Sequence, residues 1–285
     1  MSSTRILFRR MRLDLLLQPG WYGVLTVQAL VTLLLQYEFA RSVGSVGMDP
    51  SRSPVYEVVY RLLTGVYGDA AVHQLLASGP GILALWCGMV APVVYVVFST
   101  ILAMGGDRRS GMLELILFAP VDLWDYVVAT VVRDSVALGA ATLLGATVTV
   151  VGSVLFNFPV GSWLVGAVLV PVVVWLLLVL WGSLVGRLIA SQPAAFAASI
   201  VLGGAFLMLH LARTASGIEI QSSIGRAVTT IAGLASPFLY GEVIYDGART
   251  GDAGRVILGV FGVIAVGTVI LVVHRIVDPS RGKRI

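Results

Sequence analysis

Charge is scarce in this 285-residue chain: Asp, Glu, Lys and Arg make up 12% of it, against 58% hydrophobic residues. So few charges cannot cover a water-facing surface, and a mean hydropathy of +0.94 places the chain among polytopic membrane proteins. Cysteine is limited to Cys87, inside an apolar run. No disulfide can form within the chain, and Cys87 reads as a packing residue. The histidines are His73, His210 and His274, too far apart in topology for a zinc site. His210, near the outer end of an apolar segment, reads as an interfacial side chain. No Gly-x-x-x-x-Gly-Lys-Ser/Thr occurs, so the chain carries no phosphate-binding loop of its own. No Ser/His/Asp or Cys/His set converges, which leaves catalysis without support. Lys283 is the one lysine among nineteen basic residues. With abundant Val, Gly, Ala and Arg, this bias points to a GC-rich bacterial genome.

What is present is a succession of long apolar segments. Residues 1–20 form an amphipathic basic stretch, with Ile6, Leu7, Leu13, Leu16 and Leu17 beside Arg5, Arg9, Arg10 and Arg12, suited to an interfacial helix or a topogenic flank. No small-residue cleavage site follows it, so it is not read as a cleavable signal. Spans are expected at about 21–37, 82–104, 126–156, 162–186, 194–212 and 255–274. Pro92 and Pro171 fall inside two of them. Residues 38–79 form a long outer loop with a short helix expected around 55–66. Region 213–252 is a second outer excursion, and its apolar part, 227–245, is interrupted by Ser236-Pro237. A re-entrant or interfacial hairpin fits this part better than a full span, since irregular backbone at membrane depth survives only when protein shields it. The expected fold is therefore one all-α membrane domain over 1–285, with six transmembrane helices and both termini on one side. Twelve basic residues then lie on the side of the termini and seven on the other, which makes the termini cytoplasmic. The basic residues flank span ends and form no soluble patch, so nucleic acid is not an expected partner.

The most informative stretch is the cytoplasmic connection between the second and third spans, 105–124. It holds a charged turn, Gly106-Asp107-Arg108-Arg109, then Gly111, a short apolar helix and a stop at Pro120. Leu113, Ile116 and Leu117 supply apolar knobs at helical spacing, and Glu114 sits in the first turn, where a carboxylate favours the helix dipole. Such a helix can dock into a groove on a soluble partner; the plainer alternative is a helix resting on lipid. Elsewhere, Arg133-Asp134 in the third span reads as an interfacial pair near its cytoplasmic end. Pro237, Glu242 and Asp246 are candidates for an outer gate, or are solvated loop residues.

The stretch resembles the signature of ABC-2 family permeases, the membrane subunits of ABC exporters. Those carry an acidic-basic turn, then Gly-Thr-x-Glu-x-Leu-Leu, a small residue and Pro. Matching residues here are Arg108, Arg109, Gly111, Leu113, Glu114, Leu115, Leu117, Ala119 and Pro120, with Met112 in place of the usual threonine. The resemblance extends to the layout of the whole chain. It implies a coupling helix made of Arg108, Arg109, Gly111, Leu113, Glu114, Ile116, Leu117 and Pro120. It further implies a separate ATPase subunit that binds ATP and Mg, a second permease copy or related permease as dimer partner, no cofactor in this chain, and a bacterial inner (plasma) membrane location. Readings of other classes are a membrane-embedded enzyme or assembly factor without transport, and an ion-coupled transporter. The last should carry unpaired acids or broken helices near the midplane.

The topology is checked by cysteine labelling in a Cys87→Ala background. A cysteine at Ser110 is expected to be unreachable by impermeant reagent added to intact cells; labelling there from outside would overturn the orientation.

Overall fold

The computed structural model describes residues 18–44, 47–48, 57–58, 60–61, 80–109, 123–158, 160–161, 163–189, 191–214, 230 and 233–276. Among them are seven helices: α1 (Pro19–Ser42), α2 (Pro80–Arg109), α3 (Leu123–Leu155), α4 (Trp163–Leu188), α5 (Gln192–Thr214), α6 (Pro237–Thr250) and α7 (Ala253–Ile276). A two-residue antiparallel pair, Val43–Gly44 with Gly47–Met48, follows α1. All the helices except α6 are long and apolar enough to cross a membrane, six in total. This is a multi-pass membrane protein. The expected amphipathic helix over 1–20 and the expected helix over 55–66 lie outside the described residues, apart from 18–20 and the helical residues 57–58 and 60–61.

Each span outruns its expected limits at one end or both. The first continues from Tyr37 to Ser42, taking Glu38 and Arg41 into the helix as an i,i+3 pair 3.6 Å apart. The second continues through Gly105 and Gly106 to Arg109, so the segment expected as a charged turn is helical backbone. The reason is common to both: a helix leaving the bilayer keeps its own hydrogen bonds, and polarity alone does not unwind it. Breaks come where the backbone demands them. α3 ends at Leu155, and in the turn that follows Asn157 has a left-handed φ of 56° while Phe158 N–H returns 2.8 Å to the Ser153 carbonyl.

α1 lies in a groove between α2 and α3, and its buried face is polar. Gln28, Thr32 and Gln36 are fully buried. Gln28 donates to the Ala141 carbonyl at 2.7 Å and Gln36 to the Thr149 carbonyl at 2.9 Å. These donors have no water to return to, and each interhelical bond is worth roughly 0.6–2 kcal/mol. Glycines make the approach possible. A Cβ on Gly88 of α2 would collide with the Thr32 hydroxyl, and one on Gly152 of α3 with the Gln36 amide.

Pro171 lies inside α4 and has no N–H, which orphans the carbonyl four residues earlier. That carbonyl belongs to Ala167, and it accepts Trp86 Nε1 from α2 at 3.0 Å. Around this contact lies the central apolar cluster, with Trp21, Leu85, Met89, Ala141 and Trp175. A second cluster joins α4, α6 and α7 through Leu177, Tyr240, Ile244 and Val263. α5 is peripheral: 11% of its apolar stretch is buried, against 50% for α4.

Gly152→Leu is expected to displace Gln36 and overpack the α1–α3 seam, at a cost of about 1–3 kcal/mol. Gly139→Leu on the same helix, where an added Cβ meets nothing within 4 Å, serves as the control. Thermal unfolding in detergent should show a lower midpoint for the first variant and little change for the second; equal midpoints would contradict the packing.

Candidate functional site: a broken helix and two buried polar nodes

The sequence interrupts its apolar 227–245 run at Ser236-Pro237, and the backbone breaks there. Residues 233–235 are helical, Ser236 leaves the helix with ψ of 127°, and Pro237 starts α6. Two carbonyls that a continuous helix would have satisfied are taken by side chains instead. Leu234 accepts the Tyr240 hydroxyl at 2.6 Å, and Ala235 accepts Trp181 Nε1 of α4 at 3.3 Å. Ser236 is 2% exposed and its hydroxyl makes no side-chain cap.

α6 runs antiparallel to both neighbours. Its start lies beside Trp181, in the second half of α4, while near its other end a Cβ on Gly166 at the start of α4 would come 2.7 Å from the Ala248 Cβ. On the α7 side, a Cβ on Gly259 would meet Ile244 Cγ1 at 2.5 Å. Its 14 residues rise about 21 Å, short of the roughly 30 Å that a hydrocarbon core requires. Gly251, with φ of 72°, ends the helix, and Asp252 N–H closes back on the Gly247 carbonyl at 2.8 Å. Asp252 then accepts Arg255 N–H at 3.2 Å and starts α7.

The three residues singled out for an outer gate thus share one helix. Pro237 is its first residue and Glu242 and Asp246 lie a turn apart on it, not in a solvated loop. Glu242 faces His210 of α5, Oε2 to Nδ1 at 3.8 Å, and the His210 ring lies 5.8 Å from that of Phe238. With Glu242 45% exposed, this contact is worth at most about 1 kcal/mol. It is a light tie between α5 and α6. Trp181 and Tyr240, which hold the break, were not among the residues singled out; the signal was present in a proline after an apolar run, since the orphaned carbonyls require donors.

Arg133-Asp134, expected as an interfacial pair, is enclosed by the bundle. Asp134 is fully buried and Arg133 is 7% exposed. Arg133 Nε donates to Asp134 Oδ1 at 2.7 Å, and Thr100 of α2 donates to Oδ2. Thr100 offers a hydroxyl on the facing helix, so the carboxylate turns toward α2 within the bundle. A second node joins the ends of α4 and α7: Ser183 Oγ lies 3.0 Å from His274 Nε2, and Arg187 donates to the His274 carbonyl at 2.6 Å. The first node ties the consecutive helices α2 and α3, and the second ties helices distant in sequence.

Of the proposed coupling residues, Arg108 and Arg109 are the last of α2. Gly111, Leu113, Glu114, Ile116, Leu117 and Pro120 lie outside the described residues. Phe98 of α2 stacks on Phe196 of α5 at 4.1 Å and Phe206 is buried against Trp181, while Met208 is 68% exposed. A small open cleft lies between α2, α4 and α5, lined by Val97, Leu178, Gly182, Ser199, Gly203 and Phe206.

No protein-family description, curated protein or solved structure matches this chain.

A descent and return of 227–245 on one side predicts that tags inserted at Ser223 and at Gly251 report the same compartment. Opposite compartments would mean seven crossings.

Proposed function

We propose that this chain is the permease subunit of an ATP-driven ABC exporter of the ABC-2 type, located in a bacterial inner membrane with both termini cytoplasmic. It works as a dimer, with itself or a related permease, and couples to two copies of a separate ATPase that binds ATP and Mg. The chain itself performs no hydrolysis. The observation that carries this reading is the Arg108–Pro120 stretch together with its place in the chain. It joins α2, which ends at Arg109, to α3, which begins at Leu123, so the short docking helix is tethered to two long spans. A push on it therefore has something rigid to act on.

The re-entrant reading of the outer region gives this exporter a second working part. Entering from the outside, the chain would descend before Ser236 and return along α6 to Gly251. Pro237 at the bottom of the descent, then Glu242 and Asp246 in turn, would line the way up to the outer mouth, where a path opened by the approach of two ATPases must end. Support comes from the length of α6, its antiparallel course against α4 and α7, and the protein donors that shield its broken start. The paired state of Asp134 weighs against an ion-coupled transporter, which uses acids free to take up and release an ion.

The test is affinity purification of the chain with whatever ATPase accompanies it, compared between wild type and Leu117→Asp. An unpaired charge pressed into an apolar groove costs several kcal/mol, enough to weaken association by about a hundredfold or more. Glu114→Ala is expected to be milder, losing at most a partly exposed ion pair. Both variants should still insert, since the changes lie outside every span. Normal ATPase association and ATP-dependent export by Leu117→Asp would overturn the docking role.

A further inference from the structure

We propose that Thr100, Arg133 and Asp134 form a clamp that makes α2 and α3 move as one lever, passing force from the connection between them to the rest of the bundle. The inference rests on the exporter reading for the source of the force, and on geometry alone for the clamp.

A hairpin of two helices pushed at its closed end has two responses. If the helices touch only through apolar side chains, they can slide or splay, because such contacts are non-directional and re-form in a new register. A directional polar contact forbids this, since hydrogen bonds weaken steeply with distance and angle. Thr100 Oγ1 on α2 also lies 2.9 Å from the Val96 carbonyl of its own helix, but its one proton goes to the charged acceptor, Asp134 Oδ2 on α3, and Asp134 Oδ1 is held by Arg133 Nε at 2.7 Å. Both carboxylate oxygens are therefore engaged. Asp134 and Thr100 are fully buried and Arg133 nearly so, which leaves no water to replace a lost partner. Arg133 neutralises the carboxylate so that the charge can stay at this depth, and the second oxygen is left to fix the register of α2.

The position of the clamp suits this use. It lies between the outer part of the hairpin, where Leu85 and Met89 pack around Gly145, and the ends that carry Arg109 and Leu123. It also lies next to an outlet. The carbonyl of Leu102, two residues beyond Thr100, accepts Gln192 Nε2 at 3.2 Å from the start of α5. α5 is the least covered of the six spans, so a moving α2 can shift it while disturbing little of the remaining core. The direction of transmission is then connection to hairpin to α5, and from the far end of α5 to α6 through His210 and Glu242.

The experiment uses the full chain with its ATPase, reconstituted in vesicles, and the variants Thr100→Val, Thr100→Ser and Asp134→Asn. Thr100→Val is close in size and leaves the Arg133–Asp134 pair in place, so it can fold where Asp134→Asn, which strands Arg133, fails. Thr100→Val is expected to lower export per ATP hydrolysed at least fivefold while co-purified ATPase is unchanged; Thr100→Ser, which keeps the hydroxyl, should restore the ratio. A Thr100→Val protein with the wild-type ratio overturns the lever, even when its yield is reduced. A second arm needs no partner: in a Cys87→Ala background, spin labels replace the exposed side chains of Leu102 and Val132. Their distance distribution should be narrow in the parent and broadened by Thr100→Val. An unchanged distribution overturns the clamp. If no ATPase accompanies the wild-type chain, the exporter reading fails, and the spin-label arm alone decides whether the clamp exists.

Discussion

In hydrocarbon a backbone carbonyl that loses its helical partner cannot turn to water, and this constraint explains the contacts on which the bundle depends. Pro171 orphans Ala167, and the indole of Trp86 reaches across from α2 to satisfy it. The break at Ser236-Pro237 orphans Leu234 and Ala235, and the bundle supplies Tyr240 and Trp181. In each case the irregularity is local, while its remedy comes from a donor side chain that pins the irregular segment. The same constraint acts on side chains. Gln28 and Gln36 pin α1 to α3, Thr100 pins α2 to α3, and Ser183 with Arg187 pins α4 to α7. The apolar clusters fill the space between the helices; the polar contacts decide the register.

The same division separates what could be read from the amino acids from what could not. Six spans were legible because a long apolar run has few other uses, and their number and order are those of the described helices. The proline at the start of α6 marked a break for a reason that sequence states directly, the missing donor. Pairings were not legible. That Gln28 and Gln36 lie on one face follows from their spacing, but nothing in α1 says that the carbonyls of Ala141 and Thr149 receive them. Nor could the enclosure of Asp134 by the bundle be read from its own span, because the hydroxyl that bonds it comes from another helix.

The bundle also has an uneven distribution of attachment. α1, α2 and α3 are held to one another by glycine-permitted contacts and polar ties, and α4, α6 and α7 by a second apolar cluster and the node at His274. α5 joins these groups through Gln192 and His210 near its ends, through Phe196 stacked on Phe98, and through Phe206 buried against Trp181 of α4. A protein that alternates between two states needs firm parts and at least one loosely held part, and here the two kinds are carried by different helices. The exporter reading draws on this contrast as well as on the docking stretch, since force delivered at one end is useful only when something at the other can yield.

The buried glutamines have a further consequence, for the order in which the protein is made. α1 is the least hydrophobic of the six spans, with a hydropathy of 1.4 against 3.0 for α7. It leaves the ribosome first, while the carbonyls that satisfy Gln28 and Gln36 belong to α3 and do not yet exist. During that interval its two amides have no resting place in lipid. The first span therefore reaches its final seat only after the third has entered the membrane, and until then it depends on the insertion machinery or on water at the bilayer edge.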